Sequence, residues 1–227
     1  MIAHGYRHSR GSGNPELIEK KVIARSEATQ QSHNFRIKNQ GLKNQKLFGR
    51  EFMVEIEVKV RIKDIKAIKE RILHRGARLE KERFYEENTL YDFPSQALYK
   101  KQHALRLRKV NKKIFLTFKG PPQKSRKFKI REEYETEVKN EKQLRKILKS
   151  LGLIPVFNYQ KHRAVFRKKR LKICLDETSI GNFIELEGER NDIVKFAKDL
   201  DISKTEFIKL DYIQLMKKEM GKQEMSA

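Results

Sequence analysis

The sequence predicts an α+β fold: an antiparallel barrel of about eight strands with a polar interior and helices packed outside. Three observations predict it. From residue 53 onward, strand-length stretches alternate apolar and charged residues, the period of a two-faced strand. The stretches come in runs, and helix-length segments with a single apolar stripe follow them. The charges recur at i, i+2 on strand after strand, where an ordinary small barrel is filled by apolar side chains.

The elements follow in order. Residues 53–62 alternate strictly: Val54, Ile56, Val58, Val60 and Ile62 share one face, and Glu55, Glu57, Lys59 and Arg61 share the other. Asp64 is placed to cap a helix carrying Ile65, Ile68, Ile72 and Leu73, and Gly76 to stop it. Residues 78–93 read as a strand. Ala104–Val110 and Lys113–Lys119 read as a hairpin around Asn111 and Lys112, closed by Gly120-Pro121-Pro122. Residues 127–138 form another strand. Asn140 then caps a helix with Leu144, Ile147, Leu148 and Leu151, ended by Gly152. Strands at 156–167, 171–176 and 182–189 repeat the outline, before helices at 192–200 and 206–220.

The composition narrows the function. The 227 residues carry 53 Lys+Arg against 30 Asp+Glu, a formal net charge of +23. An anionic partner is expected. No run approaches the ~18 apolar residues of a membrane span. The single cysteine, Cys174, excludes an intramolecular disulfide framework and fits a cytoplasmic location. No CxxC or HExxH zinc pattern is present. Residues 1–52 hold 10 Lys+Arg and 4 Asp+Glu, are rich in Gly, Ser, Asn and Gln, and show no sustained period. They read as a disordered or adventitious extension. The domain is expected over 53–221, with a short tail at 222–227.

The polar strand faces carry the functional signal. Arg106 and Arg108 share a face, as do Thr117 and Lys119. Arg131, Glu133, Glu135 and Glu137 share another; so do Lys161 and Arg163, then Lys172, Cys174 and Asp176, then Glu185 and Glu187. A sheet wetted on one side would also alternate. Solvation alone, however, would be served by Thr, Ser or Gln, and the apolar faces have helices available to cover them. Closed with the charged face inward, the sheet makes a polar tunnel. Its Lys and Arg suit phosphates, and its carboxylates suit hard divalent cations.

The motif Glu55-Ile56-Glu57-Val58-Lys59 resembles the ExExK opening strand of the CYTH family, the triphosphate tunnel metalloenzymes. Its company strengthens the likeness. Arg106-Leu107-Arg108 resembles the paired arginines of that family, and Thr117-Phe118-Lys119-Gly120-Pro121 its lysine strand and turn. Arg131 through Glu133 resembles the R-x-E strand, and Lys161-His162-Arg163 the K-x-R strand. Asp176, Gly181, Phe183, Glu185 and Glu187 resemble the D…G-x-F-x-E-x-E segment. Asp211-Tyr212 stands where the family has a serine–tyrosine element. The resemblance covers residues 53 to about 220, in order, and none of residues 1–52.

The resemblance implies an eight-stranded antiparallel tunnel, Mg²⁺ or Mn²⁺ as cofactor, and activity on a triphosphate. Members include class IV adenylate cyclases, thiamine triphosphatases and inorganic triphosphatases. Glu55, Glu57, Lys59 and Lys119 are the expected catalytic residues. Glu55, Glu57, Glu133, Asp176, Glu185 and Glu187 are the expected metal ligands; Glu135 and Glu137 share the parity of Glu133. Lys59, Arg106, Arg108, Lys119, Arg131, Lys161 and Arg163 are the expected triphosphate clamp. Cys174 and Tyr212 read as packing, Lys209 as a solvated lysine, and His162 falls on the opposite face. The expected reaction is ATP to cyclic AMP and pyrophosphate, with hydrolysis of the terminal phosphate as the alternative. The expected partner is a small-molecule triphosphate; a homodimer is compatible with this reading and a membrane partner is not expected. A nucleic-acid-binding module is the alternative of another class, motivated by the basic runs at 124–129 and 167–172. The absence of Trp and the paired acidic faces argue against it.

Overall fold

A computed structural model of the chain describes residues 54–224. The expected extension at 1–52 lies outside the described residues. Eight strands run β1 (Val54–Ile62), β2 (Arg78–Asp92), β3 (Ala104–Val110), β4 (Lys113–Lys119), β5 (Lys129–Glu137), β6 (Ile154–Lys168), β7 (Leu171–Thr178) and β8 (Gly181–Glu187). All pairings are antiparallel, and the sheet closes on itself in the order β1-β5-β4-β3-β2-β6-β7-β8. The helices are α1 (Ile65–His74), α2 (Ala97–Lys100), α3 (Glu141–Ser150), α4 (Arg190–Asp199) and α5 (Tyr212–Glu224). The predicted α+β barrel is the observed fold.

The apolar faces of the strands point outward and are covered by helices. On one side Ile68 and Ile72 of α1 and Ile193, Phe196 and Ala197 of α4 pack on Val58, Val60, Ile173, Leu175, Ile184 and Leu186. Ile72, Ile173, Ile184, Leu186 and Ile193 are wholly buried, each contributing roughly 1.5–3 kcal/mol. A second core sets Leu144 and Leu148 of α3 against Leu105, Leu107, Ile114 and Leu116. Side-chain period 2 then turns the alternate residues of every strand into the barrel, whatever their charge.

The helix boundaries follow from local chemistry. Asp64 accepts from the amides of Lys66 and Ala67 at 2.8 and 3.0 Å, and Asn140 accepts from Gln143 at 3.0 Å. Gly76 and Gly152 take φ of +78° and +81°. Their neighbours close the helix ends with paired hydrogen bonds, Ala77 to Ile72 and Leu153 to Leu148. Asn111, with φ +54°, makes the two-residue β3–β4 turn.

Two stretches differ from expectation. The final helix does not begin at residue 206. Lys204–Glu206 is a 3₁₀ turn, and the chain then lies beside β1, with Lys59 and Ile208 exchanging two backbone hydrogen bonds. The helix starts only where Asp211 and Gln214 cap each other reciprocally, at 2.9 and 3.0 Å, and it continues to Glu224. The short helix α2 is also additional; its amides at Leu98 and Tyr99 donate to Asp92 at the end of β2. No helix among the described residues is long and apolar enough to cross a membrane.

Candidate active site

The strand register builds the site pair by pair. Neighbouring strands set Lys59 beside Glu185, Arg163 beside Asp176, Lys119 beside Glu133, Lys161 beside Glu86 and Lys172 beside Glu187. Side chains of Cα partners lie on the same face, so each pair meets inside the barrel. Many are sealed from solvent: Lys59, Lys161, Arg163, Asp176 and Glu185 are all buried.

The middle of the tunnel is one hydrogen-bonded cluster. The Arg163 guanidinium donates to both oxygens of Asp176 at 2.6 Å, and to Glu185 Oε1 at 3.1 Å. Lys59 Nζ donates to Glu185 Oε2 at 2.6 Å, and Lys161 Nζ to Asp176 Oδ2 at 3.1 Å. Toward the β4–β5 wall, Lys119 Nζ holds Glu55 and Glu133 together, both at 2.6 Å. Arg106 faces Glu133 and Glu135 at 3.8 and 3.7 Å, and Arg108 donates to Glu135 at 2.6 Å. Lys172 binds Glu187 at 2.6 Å, and Glu57 has Lys129 at 3.4 Å.

Tyr212 of α5 reaches the central cluster, donating its hydroxyl to Asp176 Oδ2 at 2.5 Å. Its ring lies 4.5 Å from the Lys59 ammonium and 4.8 Å from that of Lys161. Tyr212 packs as expected, on Phe183 and Leu215, but it is also a polar partner of the site. A cavity of about 500 Å³ lies where β1 begins and β8 ends, lined by Glu55, Phe84, Glu86, Arg108, Arg163, Lys172 and Glu187 among others.

The electrostatics fix these charges. Burial opposes ionisation of Asp176 and Glu185, but the Arg163 and Lys161 charges beside Asp176, and Lys59 and Arg163 beside Glu185, hold both below the usual carboxylate range. Burial likewise penalises Glu86, yet Lys161 and Arg163 bring it down to about 2. Lys59 and Lys119 are desolvated, but Glu185 and Glu55 respectively lead the carboxylates that raise them above the lysine range. Burial pushes the Cys174 thiol up to about 12, so it is a neutral packing group. None of these groups is moved toward neutral pH. The central cluster is an array of paired, fixed charges, and Cys174 is no thiolate.

The structure gathers Glu55, Glu57, Lys59, Arg106, Arg108, Lys119, Glu133, Lys161, Arg163, Asp176, Glu185 and Glu187 into the tunnel. Arg131 lies inside too, but its guanidinium donates to the carbonyls of Gly120 at 2.6 Å and of Gln102, tying together the segments that flank β3 and β4. Lys209 donates to the Ser125 carbonyl at 3.0 Å, and His162 packs on Tyr85 with ring centroids 5.3 Å apart. Glu86, Asn88 and Lys129 were not expected; Asp211, from the expected serine–tyrosine position, lies 3.6 Å from Lys129 and 3.9 Å from Arg131. Glu86 and Asn88 sit on β2, whose register shifts between Leu79 and Lys81 and between Lys81 and Phe84. Those irregularities hide the period. The pairing of Asn88 with Arg108 would have placed them, by carrying the arginine parity one strand across.

Hard carboxylate oxygens are the donors that suit Mg²⁺ or Mn²⁺. Among the described residues no three His, Cys, Asp or Glu side chains gather to hold a metal by themselves. Two carboxylates do converge on Lys119, and Glu57 pairs in register with Glu187. A hydrated Mg²⁺ takes one or two carboxylates, with water and substrate phosphate completing its shell. The residues fit such an ion arriving with a polyphosphate.

Comparisons with known proteins agree with this geometry. The sequence profile of the CYTH domain matches residues 53–213. A Methanocaldococcus jannaschii protein proposed to be an adenylate cyclase is 29% identical over 174 residues, covering 72% of this chain and 98% of that protein. A Vibrio parahaemolyticus protein proposed to be an adenylate cyclase shares the fold with a TM-score of 0.67 at 19% identity, over 74% of this chain and 99% of the other. A Hippeastrum protein, proposed to be an adenylyl cyclase and described with a dominant triphosphatase activity, shares it with a TM-score of 0.50 at 23% identity. That match covers 65% of this chain and 88% of the other.

Proposed function

The chain belongs to the CYTH family, and from that premise we propose that it is a metal-dependent enzyme acting on a nucleoside or other organic triphosphate. The reading favoured is conversion of ATP to cyclic AMP and pyrophosphate. The single observation that carries the triphosphate reading is the closed tunnel in which Lys and Arg alternate with carboxylates across the strands; the preference for cyclisation follows the Methanocaldococcus jannaschii relative, itself proposed to be an adenylate cyclase. In the resting protein each cation faces an acid, and the charges nearly balance. A triphosphate competes for Lys59, Arg106, Arg108, Lys119, Lys161 and Arg163, and the carboxylates it displaces become ligands for a divalent cation. Substrate and metal therefore support each other's binding.

The residues divide by task. Arg106, Arg108 and Arg163 offer planar forks for phosphate oxygens, and Lys59, Lys119 and Lys161 act as point charges. Glu55, Glu57, Glu133 and Glu187 would hold Mg²⁺ or Mn²⁺. Asp176 and Glu185 could add oxygens, but they first hold Arg163, Lys161 and Lys59 in position. The bound ion would supply charge neutralisation and a more acidic attacking hydroxyl. In the cyclase reaction the ribose 3′-oxygen bonds to the α-phosphorus, the α–β bridging bond breaks, and pyrophosphate leaves as the hydroxyl proton passes to water. The clamp stabilises that leaving group and holds the attack in line.

The Hippeastrum protein favours a second reading, hydrolysis of the terminal phosphate in the same tunnel. Phosphorus NMR of the protein with ATP and Mn²⁺ separates the two. Cyclic AMP with pyrophosphate supports the first; ADP with orthophosphate, and no cyclic product, moves the protein to the second.

A further inference from the structure

Deep in the tunnel lies a group of polar atoms that the salt-bridge network leaves out. Asn88 is 2% exposed and Glu86 1% exposed. Neither amide atom of Asn88 has a hydrogen-bond partner, nor do Glu86 Oε2, Arg106 Nε and Arg108 Nε. Lys161 stands 3.5 Å from Glu86 Oε2, an ion pair without a hydrogen bond. Glu86 and Arg108 line the 500 Å³ cavity, and Asn88, two residues along β2 from Glu86, pairs across the sheet with Arg108. Glu86 and Arg108 thus border the chamber, and Asn88 and Arg106 each stand two residues along their strands from one of them.

Buried polar atoms without partners are costly, and native proteins keep few of them. Several together, beside a cavity, mark a place where a ligand completes the bonding. Their chemistry says what kind. The two arginine nitrogens and Asn88 Nδ2 need acceptors, which phosphate oxygens supply. Asn88 Oδ1 and Glu86 Oε2 need donors, and the oxygens of an ionised triphosphate have none. We propose that Asn88, with Glu86 beside it, is a specificity-determining residue that reads an N–H or O–H group on the organic part of the substrate. It selects organic over inorganic triphosphates. An amide with both atoms free can also engage a donor–acceptor edge bidentately, as Asn does with adenine.

This inference rests on the triphosphate reading, and one experiment keeps the two apart. Binding of ATP and of tripolyphosphate, each with Mg²⁺, is measured by calorimetry for the wild type, Asn88→Leu and Asn88→Ser. Removing Asn88 should weaken ATP about tenfold more than tripolyphosphate, the size of one buried hydrogen bond. The free Asn88→Leu protein should melt no lower than the wild type, because an unpartnered amide is replaced by an apolar group of similar size. If Asn88→Leu does not fold, Asn88→Ser carries the same affinity test. A wild type that binds both ligands, with the same ratio in either variant, overturns the proposal alone. A wild type that binds neither overturns the triphosphate reading and this proposal together.

Discussion

Asp176 shows what a single residue does in this molecule. It is wholly buried and receives hydrogen bonds from Arg163, Lys161 and Tyr212, so one carboxylate orders two cations and the α5 tyrosine. Glu86 gives the same dependence a pH signature. Its carboxyl titrates at about 2 in the folded chain against 4.5 ordinarily. The folded value is the lower one, so the stabilisation is complete above about pH 4.5 and is lost as pH falls toward 2. The full effect is up to about 3 kcal/mol. Urea titrations at pH 7 and pH 3 should show Glu86→Gln less stable than wild type at pH 7, with most of that gap gone at pH 3. An equal gap at both values would contradict the pairing of Glu86 with Lys161 and Arg108. At this scale the inward-facing set of the candidate site was largely legible: the parity of Glu55, Glu57 and Lys59, or of Glu185 and Glu187, is visible in a clean alternation. Asp176's bond to Tyr212 was not, because it joins residues 36 positions apart through a helix whose docking no local pattern encodes.

At the scale of elements, the apolar core lies outside the barrel and the candidate site inside it. Ile193 of α4 is wholly buried against the β7–β8 face, whereas Ile147 of α3 is 55% exposed although it lies on the same predicted stripe as Leu148. Ile193→Ala should cost about 2–5 kcal/mol, and Ile147→Ala should stay within about 0.5 kcal/mol of wild type. Chemical denaturation of both variants checks the contrast; equal losses would show that α3 is buried more deeply than described. Strands β1, β3, β4, β7 and β8 were legible because each alternates without interruption. β2 was legible as a strand but not as a site, since its bulges shift which residues face inward. The start of α5 was misplaced because residues 206–210 follow β1 rather than their own helical preference, through the bridge at Ile208.

As a whole, the described domain sets a charged interior inside an apolar sleeve. A closed sheet has no free edges, and its helices cover the apolar side, so the inner face is free to carry acids and bases. The net charge of +23 adds a long-range attraction for polyanions. The claim that unites these scales is that the inner face is a metal-dependent triphosphate site. Glu57 tests it most directly, because among the described residues its only ion pair is a 3.4 Å contact with Lys129, and it makes no hydrogen bond within the Arg163–Asp176–Glu185 cluster. Turnover of ATP and tripolyphosphate should be followed with Mg²⁺, with Mn²⁺ and with chelator, in wild type and Glu57→Ala. The account predicts metal-dependent turnover by the wild type, and at least a hundredfold loss in Glu57→Ala with its melting temperature kept or raised. Wild-type turnover that persists in chelator, or a Glu57→Ala protein as active as wild type, would contradict it.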